Sequence, residues 1–125
     1  MTKMRRTILN VLEDADVPLS TAEIHRRIIQ RPNLATVYRA LGDFEKQGLI
    51  ESFSFTCSAE GTERYYYLRR IPHIHYFHCS SCHRFIPLGT CGLKKLEYQL
   101  ESDHGVTIED HTLYFTGLCG LCRPA

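Results

Sequence analysis

The chain has 125 residues, of which 43% are hydrophobic and 23% charged, and its formal net charge is +1. This composition excludes a disordered chain, and no apolar run reaches the roughly 18 residues that cross a membrane. A net charge this small also excludes a surface that is basic everywhere, so any contact with nucleic acid must be local. The amino-terminal segment lacks the uninterrupted apolar stretch of a secretory signal, and we therefore expect a cytoplasmic protein with no membrane partner.

The chain begins with two predicted helices. From Thr2 to Ala15 apolar residues recur at helical spacing. Ser20 or Thr21 can cap a second helix, in which Glu23 stands where a capping box requires it. This helix is expected to end before Pro32. Its predicted buried residues are Ala22, Ile24, Ile28 and Ile29.

A third helix is predicted between Asn33, a favourable N-cap residue, and Gly48, a typical residue at a helix end. Three short helices joined by tight connections are typical of a helix-turn-helix core. The predicted apolar face of this third helix consists of Leu34, Val37, Leu41 and Phe44.

The composition changes between Leu49 and Leu68 to β-branched and aromatic residues, interrupted by the turn formers Ser58 and Gly61. This pattern predicts a β-hairpin, which would make the first part of the chain a winged helix. Residues 69–72 resemble a linker, because a different pattern starts after them. We therefore place a winged-helix DNA-binding domain in residues 1–70 and a second domain in residues 71–125.

The second domain is predicted to be a small α/β module, which makes the whole chain an α+β protein. Strands are expected at His73–Cys79 and Arg84–Leu88, followed by a helix at Leu93–Ser102. A last strand is expected over Val106–Thr116, where the alternation suits a sheet edge or a dimer interface. The apolar stripe of the helix would consist of Leu93, Leu96 and Leu100.

Four of the six cysteines form two Cys-x-x-Cys pairs. In a cytosolic chain such pairs indicate a metal site, because two intervening residues let both thiolates point at one ion. A structural zinc shared by the two pairs would tie the end of the second domain to its start. The alternatives are a redox dithiol or cysteines that are merely buried. The four predicted zinc ligands are Cys79, Cys82, Cys119 and Cys122.

A second metal site is predicted from histidines. His73 and His75 alternate on a strand and therefore point to one face. Cys91 and His111 could complete a set of three nitrogens and one sulfur, with His78 as an alternative ligand. This set suits zinc better than iron(II) or manganese, which carboxylates usually hold. For any one of these histidines alone, a core or surface role is the simpler interpretation.

Three segments, NLATVYRALGDFEKQGLIE, HIHYFHCSSC and HTLYFTGLCGLC, resemble the Fur family of metal-responsive regulators. The resemblance implies a winged-helix DNA-binding domain, a dimerisation domain, a four-cysteine structural zinc and a regulatory metal. It also implies that the helix at residues 34–46 enters the major groove of DNA. The predicted DNA contacts on that helix are Thr36, Tyr38 and Arg39, with Asn33 at its start. Arg5 and Arg6 are predicted to contact the DNA backbone.

The sequence departs from the family's iron and peroxide sensors at three ligand positions, which fall here on Leu19, on Tyr66 or Tyr67, and on Pro87. The family's His-x-His-x-x-Cys run is also one residue longer here, between His73 and Cys79, which shifts the register and suggests a bulge. These departures favour a zinc sensor (Zur-like) over an iron sensor (Fur-like) or a peroxide sensor (PerR-like).

We therefore predict a zinc-sensing repressor that binds a palindromic operator in double-stranded DNA as a homodimer. Two alternatives of another class are a zinc-knuckle module that binds a protein, and a thiol oxidoreductase that uses one cysteine pair. No nucleophile elbow or phosphate-binding loop supports an enzyme or a small-molecule substrate.

Overall fold

The computed structural model describes residues 1–58, 61–70 and 72–124. The chain divides into two compact units, Met1–Arg69 and Arg70–Ala125. Within the described ranges, every helix is too short or too polar to cross a membrane.

The first unit is a winged helix, in which three helices pack on a small antiparallel sheet of order β1-β3-β2. Thr2 caps the first helix, and the predicted capping box between Ser20 and Glu23 is present at the second. Its elements are α1 (Lys3–Asp14), β1 (Leu19–Ser20), α2 (Thr21–Arg27), α3 (Leu34–Lys46), β2 (Ile50–Cys57) and β3 (Gly61–Leu68).

The core of this unit is a continuous apolar cluster, to which each helix contributes one face. Full burial of one such aliphatic or aromatic side chain stabilises a fold by about 1.5–3 kcal/mol. The cluster therefore fixes which face of α3 remains outside. Its most deeply buried members are Ile8, Leu12, Leu19, Ile24, Ile28, Val37, Leu41, Phe44 and Ile50.

Three details of the first unit differ from the prediction. Ile29 is 94% exposed, because α2 already ends at Arg27 and Ile28 caps it. Leu34, at the start of α3, is 43% exposed. The strand β1 has two residues, which is too short for any periodic pattern to indicate it.

The second unit contains a three-stranded sheet of order β5-β4-β6, in which β4 runs antiparallel to β5 and parallel to β6. A helix crosses over between the last two strands, as a parallel pair requires. Its elements are β4 (Ile74–Cys79), β5 (Phe85–Thr90), α4 (Lys94–His104) and β6 (Tyr114–Gly117).

The predicted strand Val106–Thr116 is wrong over most of its length, because only the segment from Tyr114 onwards pairs with β4. No residue of α4 is buried, so its predicted apolar stripe is not covered by the rest of the described chain. Leu96 is 52% exposed and Leu100 is 39% exposed. The single chain therefore leaves an apolar helix face uncovered.

The register of β4 and β5 shifts next to His75, where the sequence suggested a bulge. Ile74 pairs with Thr90 and Tyr76 pairs with Pro87, so one residue of β4 faces two of β5. The additional residue thus lies on β5, not on the histidine strand. Gly89, one of those two residues, has a φ of +84°, a conformation that favours glycine.

Candidate metal centres and nucleic-acid interface

The four predicted cysteines lie together at one end of the second sheet. Cys79 ends β4 and Cys82 follows in the next turn, while Cys119 and Cys122 lie in the turn after β6. Since β6 is parallel to β4, with Gly117 paired to Cys79, both turns emerge at the same end. The four sulfur atoms lie within 4.8 Å of one another.

The spacing of these sulfurs fits a tetrahedral zinc. With zinc–sulfur bonds of about 2.3 Å, tetrahedral geometry places two sulfurs roughly 3.8 Å apart. The Sγ atoms of Cys82 and Cys119 are separated by 3.8 Å. The backbone N–H groups of Cys82 and Cys119 each lie 3.4 Å from Cys79 Sγ and donate to it. These bonds, that from Cys82 above all, lower the pKa of Cys79 to about 5.

The pKa values of the Cys119 and Cys122 thiols are shifted in opposite directions. The Arg84 guanidinium bonds to Cys119 and lowers the pKa of that thiol. A hydrogen bond with Ser81 lowers the pKa of Cys122, but hydrogen bonding to Cys119 and burial outweigh it and raise this pKa to about 11. A divalent zinc among the sulfurs would supply the positive charge that favours ionisation of Cys122 beside its neighbours.

The second predicted ligand set is also brought together, from three parts of the second unit. His73 directly precedes β4 and His75 lies in it, Cys91 lies just before α4, and His111 lies shortly before β6. The backbone N–H of Cys91 donates to the carbonyl of His73 at 2.9 Å, which places the cysteine beside the histidine strand. One ligand atom from each of the four residues lies within 4.8 Å of the others.

His111 is the centre of this His/Cys cluster. Its Nε2 is 3.0 Å from Nε2 of His73 and 3.0 Å from Nε2 of His75. Its distance to Cys91 Sγ is 3.4 Å. A tetrahedral zinc would hold such nitrogen and sulfur atoms about 3.3–3.6 Å apart, so a small expansion is all that separates the cluster from a zinc site. All four residues are half-buried.

The outer ring nitrogens of two histidines face oxygen atoms. His75 Nδ1 lies 3.0 Å from the Leu113 carbonyl, and His111 Nδ1 lies 3.5 Å from a carboxylate oxygen of Glu97. With protons on both Nδ1 atoms, the neutral rings direct two Nε2 lone pairs at each other, which repel unless a cation lies between them. Burial is the main reason that the pKa of His75 is lowered, and this favours the neutral ring that binds metal.

Glu97 is the residue of this site that the sequence did not indicate. It lies in the first turn of α4, and the pattern of the helix does not connect it with His111. The candidate alternative ligand His78 is not part of the cluster. Its ring is buried and its centroid lies 4.8 Å from that of Phe85.

The helix α3 presents a polar face outside the core. Tyr38 is 54% exposed and Arg39 is exposed, whereas Thr36 is half-buried. Asn33 caps the helix by accepting a hydrogen bond from the Ala35 N–H at 3.0 Å. An exposed helix of this kind can lie in the major groove, with its arginine reading base edges.

The two amino-terminal arginines differ in their surroundings. Arg5 Nη1 lies 2.7 Å from an Asp43 carboxylate oxygen, a contact that joins α1 to α3. Arg6 is exposed, with its guanidinium 3.9 Å from Glu13. Arg6 is therefore freer than Arg5 to reach a phosphate.

A winged helix with an exposed third helix, joined to a unit with two clusters of metal-ligating side chains, defines a metal-binding, DNA-binding transcription regulator. The sequence model of the Ferric uptake regulator family matches residues 1–116. The chain belongs to the Ferric uptake regulator family, whose members are dimeric, metal-responsive DNA-binding regulators and not enzymes.

Individual relatives agree with this assignment. The ferric uptake regulation protein of Klebsiella pneumoniae is 30% identical over 129 residues, which cover 98% of this chain and 81% of the relative. The ferric uptake regulator of Vibrio cholerae is 26% identical, with a TM-score of 0.77 over 95% of this chain and 91% of its own. A zinc-bound manganese uptake regulator is 26% identical, with a TM-score of 0.68 over 95% of this chain and 89% of its own.

Proposed function

We propose that this chain is a zinc-sensing repressor that carries two zinc ions per chain. One is a structural zinc at the four-cysteine cluster. The other is a regulatory zinc at the His/Cys cluster, and it promotes binding of a homodimer to a palindromic operator. The observation that carries the proposal is the convergence of three imidazole nitrogens and one thiol at spacings close to those of tetrahedral zinc.

The donor set supports zinc as the sensed metal. The His/Cys cluster includes a sulfur and no carboxylate, whereas iron(II) and manganese are usually held by carboxylates as well as imidazoles. Family membership alone does not decide the metal, since one relative named for manganese uptake is zinc-bound. The identity of the sensed metal must therefore be inferred from the ligands.

The positions that the family's iron sensors use also support zinc. Leu19 and Tyr66 face each other in the β1–β3 ladder, and both side chains belong to the apolar core of the first unit. Neither leucine nor tyrosine, whether Tyr66 or the neighbouring Tyr67, replaces a histidine or a carboxylate as a ligand. Pro87, on β5, offers no side-chain donor at all. Those positions therefore offer no set of ligands that favours iron over zinc.

Zinc at the His/Cys cluster would order the surface that forms the dimer. It would join the start of β4 to Cys91 before α4 and to His111 before β6. The helix α4, the connection that follows it and β6 carry exposed apolar groups that a second copy can cover, and β6 is an edge strand. The exposed apolar residues are Leu96, Tyr98, Leu100, Val106, Tyr114 and Phe115.

Zinc would then couple to DNA through the dimer. A two-fold dimer presents two copies of α3, which match the two half-sites of a palindrome. If zinc binds the DNA-competent dimer more tightly than the other forms, linkage requires that DNA in turn tightens zinc binding.

The test is the number of zinc ions per chain, measured by native mass spectrometry for the wild type, Cys91→Ser and Cys57→Ala. We expect two zinc ions in the wild type, one in Cys91→Ser and two in Cys57→Ala. The last variant is the control, because it also lacks one cysteine but the cysteine it lacks lies in the first unit. Operator binding should weaken in Cys91→Ser and after a chelator has removed only the weaker zinc. Equal operator affinity with and without that zinc would overturn the proposal.

A further inference from the structure

We propose that Glu97 is a positioning residue for the regulatory zinc, which it controls through His111. Its carboxylate would accept the Nδ1–H of His111 and so present the opposite nitrogen, Nε2, to the metal. This inference rests on the proposed function of the His/Cys cluster and adds a residue that is not one of its four ligands.

The geometry places Glu97 on the outer side of the His111 ring. The carboxylate oxygen is 3.5 Å from Nδ1, whereas Nε2 faces His73, His75 and Cys91. The two side chains are 28% and 19% exposed, so water only partly screens their interaction. A histidine that binds metal through one nitrogen commonly donates the other N–H to a carboxylate, which fixes the tautomer and makes the ring a better donor.

The partner of His111 differs from that of His75. His75 Nδ1 meets the carbonyl of Leu113, a neutral acceptor, whereas His111 Nδ1 meets an anion. A divalent zinc held by one thiolate and three neutral imidazoles keeps one unit of positive charge. The Glu97 carboxylate balances that charge without entering the coordination shell. Its loss should therefore weaken zinc binding more than the loss of a neutral acceptor would.

The local structure holds Glu97 in place. Its backbone N–H donates to the Leu93 carbonyl at 2.9 Å, in the first turn of α4. One turn later, Glu101 accepts the Ile108 N–H at 2.9 Å and anchors the segment that leads to His111. Glu101 therefore provides a matched control, because it is an acidic residue of the same helix that supports the same segment without meeting a metal ligand.

The experiment uses the full chain with both zinc sites loaded and compares the wild type, Glu97→Ala, Glu97→Gln and Glu101→Ala. Zinc affinity at the weaker site is measured by competition with a chelator. The protonated nitrogen of each histidine ring is identified by NMR on protein with ¹⁵N-labelled histidine. We expect Glu97→Ala to weaken zinc binding about 10- to 100-fold. Glu97→Gln, which keeps an acceptor but loses the charge, should show a smaller loss.

The NMR signal separates positioning from a merely structural role. In the zinc-loaded wild type, the His111 Nδ1–H should be shifted downfield and protected from exchange. Glu97→Ala should remove that protection. Glu101→Ala should retain it, even if this variant is less stable than the wild type. An unchanged zinc affinity or an unchanged His111 signal in Glu97→Ala would overturn the inference.

Two further outcomes also count against it. If cobalt(II) in place of the weaker zinc gives a spectrum that reports a fifth ligand lost in Glu97→Ala, then Glu97 is a ligand and not a positioning residue. If the wild type binds a single zinc, the proposed function fails together with this inference. If the wild type binds two zinc ions and Glu97→Ala has the same zinc affinity, this inference alone fails and the proposed function stands.

Discussion

Cys79 and Gly117 are paired residues in the parallel ladder between β4 and β6, and this pairing brings the two Cys-x-x-Cys turns to one point. The ladder continues into the turns, because the Ser80 N–H donates to the Gly117 carbonyl at 2.7 Å. Sheet and cluster therefore depend on each other: the strands align the sulfurs, and a zinc would hold the last strand on the sheet.

Replacement of Cys119 by serine is expected to release the structural zinc and unfold the second unit. Structural zinc can supply on the order of 10 kcal/mol in a small domain, and this unit has a small sheet and a helix without buried residues. The measurement is zinc per chain together with the far-ultraviolet circular dichroism spectrum. Cys57→Ala, which removes a cysteine outside the cluster, should retain zinc and spectrum; a folded, zinc-free Cys119→Ser protein would contradict the prediction.

Replacement of Gly89 by alanine is expected to disturb the regulatory site through the backbone. Gly89 has a φ of +84° in the bulge opposite His75, and a side chain there is strained by about 1–2 kcal/mol. The strain should move the start of β4 and weaken zinc binding at the His/Cys cluster, measured by chelator competition. The matched control is Gly92→Ala, because an added Cβ meets no atom within 4 Å at either glycine but only Gly89 has a positive φ. Equal zinc affinities in the two variants would count against this prediction.

Local chemistry explains which features could be predicted from the sequence. The capping box at Ser20 and the Cys-x-x-Cys pairs depend on residues a few positions apart, so their patterns are visible in the chain. The bulge on β5 and the contact of Glu97 with His111 depend on distant segments that meet only in the fold. The apolar stripe of α4 could be predicted, but its exposure could not, because periodicity reports that a face is apolar and not which surface covers it.

Replacement of Arg39 by alanine is expected to weaken operator binding without affecting folding. Arg39 is exposed on α3, while its neighbour Ala40 is buried. Loss of a bidentate contact with a base costs about 1–3 kcal/mol and relaxes specificity at one position of each half-site, whereas loss of a phosphate contact weakens binding to all sequences alike. Fluorescence anisotropy with a set of single-base operator variants distinguishes the two. Unchanged affinity for every variant would remove Arg39 from the interface.

The stability of the protein is expected to depend on pH through His75 when the regulatory zinc has been removed and the structural zinc retained. Burial is the main cause that lowers the pKa of His75 below its usual 6.5, and the neighbouring His73 and His111 act in the same direction. The unfolded chain therefore takes up a proton at His75 at a higher pH than the folded chain does. The free energy of unfolding should fall as the pH is lowered from about 6.5 through the folded-state pKa, and His75 should contribute no slope well above that range.

Denaturant unfolding at a series of pH values measures this slope, with His75→Gln as the comparison because glutamine does not titrate. The wild type should lose more stability than His75→Gln as the pH falls. In the zinc-loaded protein the difference should be larger, since protons must also displace zinc from the ring nitrogens. A wild type whose stability falls no faster than that of His75→Gln would show that the folded environment does not disfavour the charged ring.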